Sequence, residues 1–160
     1  MQLLSSCYLF QGLSESQFHD LSAITKEVRA QKGQFLMHEG QKGEELFILK
    51  QGAVELLTKV NEDLVDYDFE LPIAILRNPG DCTGTSSLLE PHIYSLSARC
   101  FEDSELQVIK YTDFRNLMIA DHDLGFTLMK NLAQHLLGRL KETRQELKIH
   151  FKTLFKSIHH

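Results

Sequence analysis

Few side chains in this sequence stand at spacings that could do chemistry, and the most suggestive are histidines and acids. The chain holds eight histidines. His38-Glu39 could contribute two metal ligands, but no second histidine stands at His-x-His spacing beside them. Asp121-His122-Asp123 groups three more potential ligands. Adjacent residues on a turn rarely converge on one ion, so this segment reads as a polar linker that caps the helices on either side. His135 and His150 fall on a long helical stretch, where surface or hydrogen-bonded histidines are the ordinary case; His150, seated in a helix seam, would make pairing pH-sensitive. No serine, histidine and acid, and no cysteine and histidine, form a nucleophile-and-base pattern. Cys7, Cys82 and Cys100 are far apart and odd in number, so they imply no disulfide framework and fit a reducing compartment. Cys82 and Cys100 sit among small or apolar residues and read as packing. The expectation from these residues is a protein that does not catalyse.

The elements that would position these residues must come from 160 residues, enough for one domain with a proper core and too few for two. No stretch approaches the run of about 20 apolar residues that spans a bilayer. The opening Met1-Gln2-Leu3-Leu4-Ser5-Ser6 lacks the basic region and cleavage site of a signal peptide, so the cytoplasm is expected. The net charge of −5 is unevenly spread: from Arg139 onward six Lys/Arg face two Glu, a net +4, and the remainder carries 11 against 20, a net −9. The body is therefore a poor electrostatic partner for nucleic acid. The basic end reads as the solvated face of a coiled coil.

Three regions separate by periodicity. In residues 1–25, Ser14-Glu15-Ser16-Gln17 forms a capping box ahead of Phe18, Leu21 and Ile24 at helical spacing. From 26 to about 110, short apolar runs are broken by Gly33, Gly40, Gly43, Gly52, Gly80 and Gly84, which predicts many short strands and tight turns. Val65, Tyr67, Phe69, Leu71, Ile73 and Ile75 alternate as a half-buried strand, with Glu62, Asp63, Asp66, Asp68 and Glu70 on its wet side and Pro72 marking an edge or bend. From Thr112 the period is helical, with Thr112-Asp113 as the expected N-cap and Phe114, Leu117 and Met118 as the buried face. A second helix begins after Asp123. Ala133, Leu140, Leu147 and Leu154 recur every seven residues, and Leu136, Thr143 and His150 fill the complementary positions of a coiled-coil seam. Leu137, Phe151, Phe155 and Ile158 broaden that face, which predicts a partner, most simply a second copy. His159-His160 are given no role.

This order of elements resembles the cyclic-nucleotide-binding domain family, the CAP/CRP-like effector domain, over about residues 3–150. Leu9-Phe10-Gln11-Gly12-Leu13 resembles its opening motif. Gly33-Gln34-Phe35-Leu36-Met37-His38-Glu39-Gly40-Gln41-Lys42-Gly43 is similar to its first glycine-rich hairpin, and Leu46-Phe47-Ile48-Leu49-Lys50-Gln51-Gly52-Ala53-Val54 to its next strand pair. Pro79-Gly80-Asp81-Cys82-Thr83-Gly84 leads into its phosphate-binding cassette, and Glu102-Asp103-Ser104-Glu105-Leu106 into its last strand. The resemblance implies an α+β, mainly β fold: a jelly-roll-like double-stranded β-helix, or β-roll, with an N-terminal helix and two C-terminal helices, the last long and dimerising. It implies residues 1–120 as the roll with its flanking helices and 121–160 as the dimerisation helix of the same domain.

The cassette departs from the family pattern. Gly84-Thr85-Ser86-Ser87-Leu88-Leu89-Glu90-Pro91-His92-Ile93-Tyr94-Ser95 aligns without a gap, but Thr85 stands where the family has the ribose-binding Glu and Tyr94 where it has the phosphate-binding Arg. A hydroxyl in place of a forked guanidinium gives up a charge-assisted pair, so cyclic AMP binding of the family's kind is expected to be weakened or lost. Gly84, Thr85, Ser86, Ser87, Tyr94 and Ser95 are the candidate ligand-binding positions. The resemblance implies cyclic AMP, cyclic GMP or another phosphate-bearing ligand, on free N–H groups and hydroxyls at a helix start. Tyr94 either lines that pocket or plugs it, and Arg99, His92 or Arg77 could bring the missing charge, although Arg99 falls on the opposite face of its strand. Two functions stay open: a regulatory sensor relaying occupancy to a homodimer helix, and a binding-incompetent scaffold. A cupin-like metalloenzyme is the weaker third, for want of the His-x-His ligands. No helix-turn-helix follows the long helix, so direct DNA binding is not expected, and without a bilayer-spanning apolar run no membrane partner is expected.

Overall fold

The computed structural model describes residues 2–60 and 69–158. The chain opens with α1 (Gln2–Ser6), a 3-10 turn (Tyr8–Phe10) and α2 (Glu15–Ala23). The expected capping box starts α2: Ser14 Oγ accepts from Gln17 N at 3.2 Å, and Gln17 Oε1 accepts from Ser14 N at 2.9 Å.

Eight strands follow among the described residues: β1 (Thr25–Ala30), β2 (Phe35–Met37), β3 (Glu45–Gln51), β4 (Val54–Val60), β5 (Phe69–Leu76), β6 (Cys82–Thr83), β7 (Ser97–Cys100) and β8 (Ser104–Lys110). They form two four-stranded sheets, ordered β1-β8-β3-β6 and β2-β7-β4-β5, with every pairing antiparallel. The turn between β3 and β4 closes on Gly52, at φ +99, where a side chain would collide with Ser104 and the Asp103 carbonyl. Leu46-Phe47-Ile48-Leu49 is buried on both faces of its sheet. Phe47 and Leu49 join Met37, Val54, Ala98 and Leu106 between the sheets, while Leu46 and Ile48 meet Leu4, Phe10, Phe114 and Leu124 from the helices. One strand therefore belongs to both halves of the core. This is the expected β-roll.

Strand β5 corrects one expectation. Val65, Tyr67, Glu62, Asp63, Asp66 and Asp68 lie outside the described residues, as do His159-His160. In the described part the alternation holds but its sides are reversed: Leu71, Ile73 and Ile75 are 44–45% exposed, and half-buried Glu70 accepts from Ser97 Oγ at 3.2 Å. The cause is register. β5 is an edge strand, and its pairing with β4 puts Ile75 opposite Glu55, on the row that carries the Glu55–Arg99 ion pair, with a bulge between Ala74 and Pro72. A period of two reveals that a strand has two faces without saying which one meets the core.

The C-terminal helices are α3 (Tyr111–Ala120) and α4 (His122–Ile158). Thr112-Asp113 is not the N-cap of α3. β8 runs straight into the helix at Lys110, and Tyr111 N, one of the unpaired first-turn donors, reaches Glu44 O at 2.8 Å. The cap expected between the helices does form. Asp121 Oδ1 accepts from Leu124 N at 2.9 Å and Oδ2 from Gln17 Nε2 at 2.9 Å, bonds that hold its carboxyl below the usual range. The first turns of α4 bury Leu124, Leu128 and Leu132. Asn131 Nδ2 donates to Leu9 O at 3.0 Å and Gln11 O at 2.8 Å. From Ala133 to Ser157 nearly every residue is exposed, including Leu140, Leu147 and Leu154 of the heptad series. Replacing Asn131 by Ala strands two carbonyls beneath α4, and urea unfolding should show a loss of about 1–3 kcal/mol.

Candidate functional site

A cavity of about 340 Å³ opens between the β4–β5 edge, the segment Asp81–Ser86, Ser95-Leu96 and one face of α4. That size lies within the range of small-ligand pockets, about 300–1,000 Å³. Gly84 sets its polar end. It holds φ +89, and a Cβ there would come within 2.7 Å of the Glu45 carbonyl, so only glycine lets the 3-10 helix Thr85–Leu88 press against β3.

Of the six candidate residues, Gly84, Thr85, Ser86 and Ser95 line the cavity. Ser86 Oγ accepts from Ser95 N at 3.2 Å, tying the two ends of the segment together. Ser87 and Tyr94 are placed elsewhere. Ser87 is fully buried, and its Oγ donates to Gly84 O at 2.6 Å, closing the turn. Tyr94 packs in the inter-sheet core, where its hydroxyl donates to Glu45 O at 2.9 Å and accepts from Glu44 N at 3.1 Å and Glu45 N at 2.9 Å. One donor and two acceptors are all a phenol has, so the hydroxyl has nothing left for a phosphate. Burial raises its pKa, and it remains a neutral structural clamp.

None of the three expected charge donors lines the cavity. Arg99 pairs with Glu55 at 2.7 Å on the outward row, stacked on Phe35. Arg77 pairs with Glu102 at 3.1 Å. His92 is tied to Ser87 O through Nδ1 at 2.8 Å and lies beside Tyr111. The cation that does line it is Arg139, from α4, together with His135 and Leu136. His135 and Arg139 stand four apart, on one helix face, and that spacing was the available signal; nothing local says that this face crosses the roll.

Tyr8 joins the two sides of the cavity. Its ring stacks on His135, centroids 3.8 Å apart and planes within 12°, and its hydroxyl meets the Cys82 thiol and the Thr85 side chain. Burial pushes the phenol well above its usual range, and burial, then neighbouring Arg139, lowers the His135 pKa. Cys82 packs against the core, as expected, and also lines the cavity and hydrogen-bonds Cys7, which with burial raises its pKa. Cys100 is core, as expected. A wider surface groove of about 590 Å³ near Arg29 and Gln51 lies away from these residues, and its charges are already paired, Arg29 with Glu105 at 2.9 Å and Asp103 with Lys32 N at 2.8 Å.

The family's phosphate contact therefore does not fit this cassette: the residue at the Arg position faces the core and is saturated. Tyr94→Phe should cost about 1–3 kcal/mol in denaturant unfolding, because it unpairs the Glu44 and Glu45 amides, and it should leave the cavity-lining residues unchanged.

Comparisons with known proteins accord with this geometry. The chain is 28% identical over 144 residues to the anaerobic regulatory protein of Bacillus subtilis (strain 168), covering 88% of this chain and 56% of that relative, so it spans little more than half the relative's length. The catabolite activator protein of Thermus thermophilus superposes with a TM-score of 0.72 at 27% identity, covering 89% of this chain and 62% of that one. The N-terminal domain of a transcriptional regulator from Streptomyces coelicolor A3(2) shares the fold, with a TM-score of 0.70 at 23% identity over 85% and 93% of the two chains. The model of the cyclic nucleotide-binding domain matches residues 27–121, more than half of the 160, and by that match the chain belongs to this family.

Proposed function

We propose that the chain is a regulatory ligand-sensing module in which occupancy of the roll cavity is relayed to α4, through which two copies pair. The observation that carries this reading is the cavity's double wall. One side is the Gly84–Ser86 turn and the other is α4 at His135, Leu136 and Arg139, with Tyr8 touching Thr85 on one side and stacked on His135 on the other. A molecule that moved the turn would thereby bias the position of α4. Differential contact with two arrangements is what a ligand needs to shift an equilibrium. In this reading Gly84, Thr85, Ser86 and Ser95 face the occupant, while Ser87 and Tyr94 hold the turn in shape. Residues 1–120 form the sensing unit and 121–160 the connecting helix, the site is cytoplasmic, and the role is regulation rather than catalysis. No nucleic-acid contact is proposed for the acidic roll.

Pairing is supported by the apolar series on α4. The helix has 37 residues, about 55 Å, and Leu140, Leu147, Phe151 and Leu154 are 46–57% exposed along the part beyond the body. That its relatives are named as regulatory and activator proteins supports a regulatory output. The saturated Tyr94 hydroxyl favours a second reading, a scaffold that binds nothing.

Two measurements test these statements. Sedimentation should find the full chain dimeric and a chain ending before Arg139 monomeric; an unchanged oligomer would reject the helix as the seam. A thermal-shift screen of small anions and nucleotides should raise the midpoint by several degrees for at least one compound at millimolar concentration, and a flat response across the screen selects the scaffold.

A further inference from the structure

The cavity's lining selects for an occupant unlike a cyclic nucleotide, an inference that rests on reading the cavity as the ligand site. Among the described residues, the charged groups that line it are Asp81 and Arg139. Asp81 is committed: its Oδ2 accepts from Arg77 N at 3.1 Å and Asn78 N at 2.9 Å, shaping the turn before β6. Arg139 is paired with Glu142, one turn further along the same helix, at 2.9 Å, and both side chains are more than half exposed. Such a pair is weak and exchanges its partner at little cost. His135 beside it is held toward the neutral form, chiefly by burial. Among the described lining residues the cation offered to an occupant is thus the Arg139 guanidinium, delivered by α4 and not by the cassette, while the Asp81 carboxylate is held by the amides of its own turn.

The remaining wall is of another character. Leu56, Ile73, Leu76 and Leu136 face the cavity, and Thr85 and Ser86 add hydroxyls at its polar end. A ribose there would set hydroxyls against aliphatic side chains, and unpaired polar groups are costly to bury. A flat or branched hydrocarbon body would instead gain from the same surfaces.

We infer that this cavity takes a small monoanion with an apolar body, an aromatic or branched aliphatic carboxylate, whose anionic end pairs with Arg139 while its body lies against Leu56, Ile73, Leu76 and Leu136. Because Arg139 belongs to α4, the anion would bridge the roll and the helix directly, and charge-assisted forked hydrogen bonding suits a guanidinium to a carboxylate.

Isothermal titration of the full chain with indole-3-acetate, phenylacetate and 4-methylpentanoate, alongside indole-3-acetamide and cyclic AMP, tests this. At least one carboxylate should bind, with indole-3-acetamide at least tenfold weaker than indole-3-acetate if that is the one. Arg139→Gln should weaken the carboxylate by about ten- to 150-fold, the scale of one charge-assisted contact, with Arg139→Lys between the two. The unliganded melting midpoint of Arg139→Gln should stay at the wild-type value, because the side chain is exposed. Carboxylate binding that survives Arg139→Gln overturns the inference. Cyclic AMP binding tighter than every carboxylate also overturns it, while leaving the cavity as a ligand site. Silence from every probe removes both.

Discussion

Everything at the candidate site depends on how the first three turns of α4 are seated. Leu124, Leu128 and Leu132 enter the helical half of the core, and Asn131 satisfies the carbonyls of Leu9 and Gln11 that the turn after the 3-10 segment would otherwise leave unpaired. Apolar burial gives this docking its strength, and the amide gives it a rotational setting, since a helix sliding by one residue would lose both bonds. With that setting fixed, helical geometry carries His135, Leu136 and Arg139 across the mouth of the roll one turn later. The same helix is thus core at its start, cavity wall in its middle and exposed apolar face beyond.

The segment Gly84–Ser95 spends much of its polar capacity on its own backbone. Gly84 still holds the left-handed conformation, and Ser87 still closes the short turn on the Gly84 carbonyl. The residue that would have projected a guanidinium is instead a phenol turned inward, bonded three times to the Glu44–Glu45 backbone. A buried hydroxyl with all its capacity used contributes stability and rigidity but no recognition. The cation that lines the cavity is Arg139, more than forty residues later, and it belongs to α4 and not to the roll.

The thiols and rings around Tyr8 tie these regions together. Cys7 meets Cys82, Tyr8 meets Thr85, and the Tyr8 ring lies flat on His135. The N-terminal turn therefore touches both the cassette segment and α4, contacts that nothing in the local sequence around Tyr8 specifies.

What the amino-acid order determined alone was local. Glycines marked the turns, Ser14 and Gln17 their capping box, and the heptad series the long helix with its unmatched face, because each of these follows from torsional freedom, nearby hydrogen bonding or a repeat of 3.5 to 3.6 residues. That Gly84, Thr85 and Ser86 form a turn at the start of a short helix was also legible, from the glycine and the small polar residues after it. Tertiary structure alone decided which face of β5 looks inward, since a period of two is symmetric until a neighbouring strand sets the register. It alone turned Tyr94 toward Glu45 and brought Arg139 to the cavity. Those outcomes depend on contacts between residues about fifty apart, and between α4 and the roll, which no local spacing encodes.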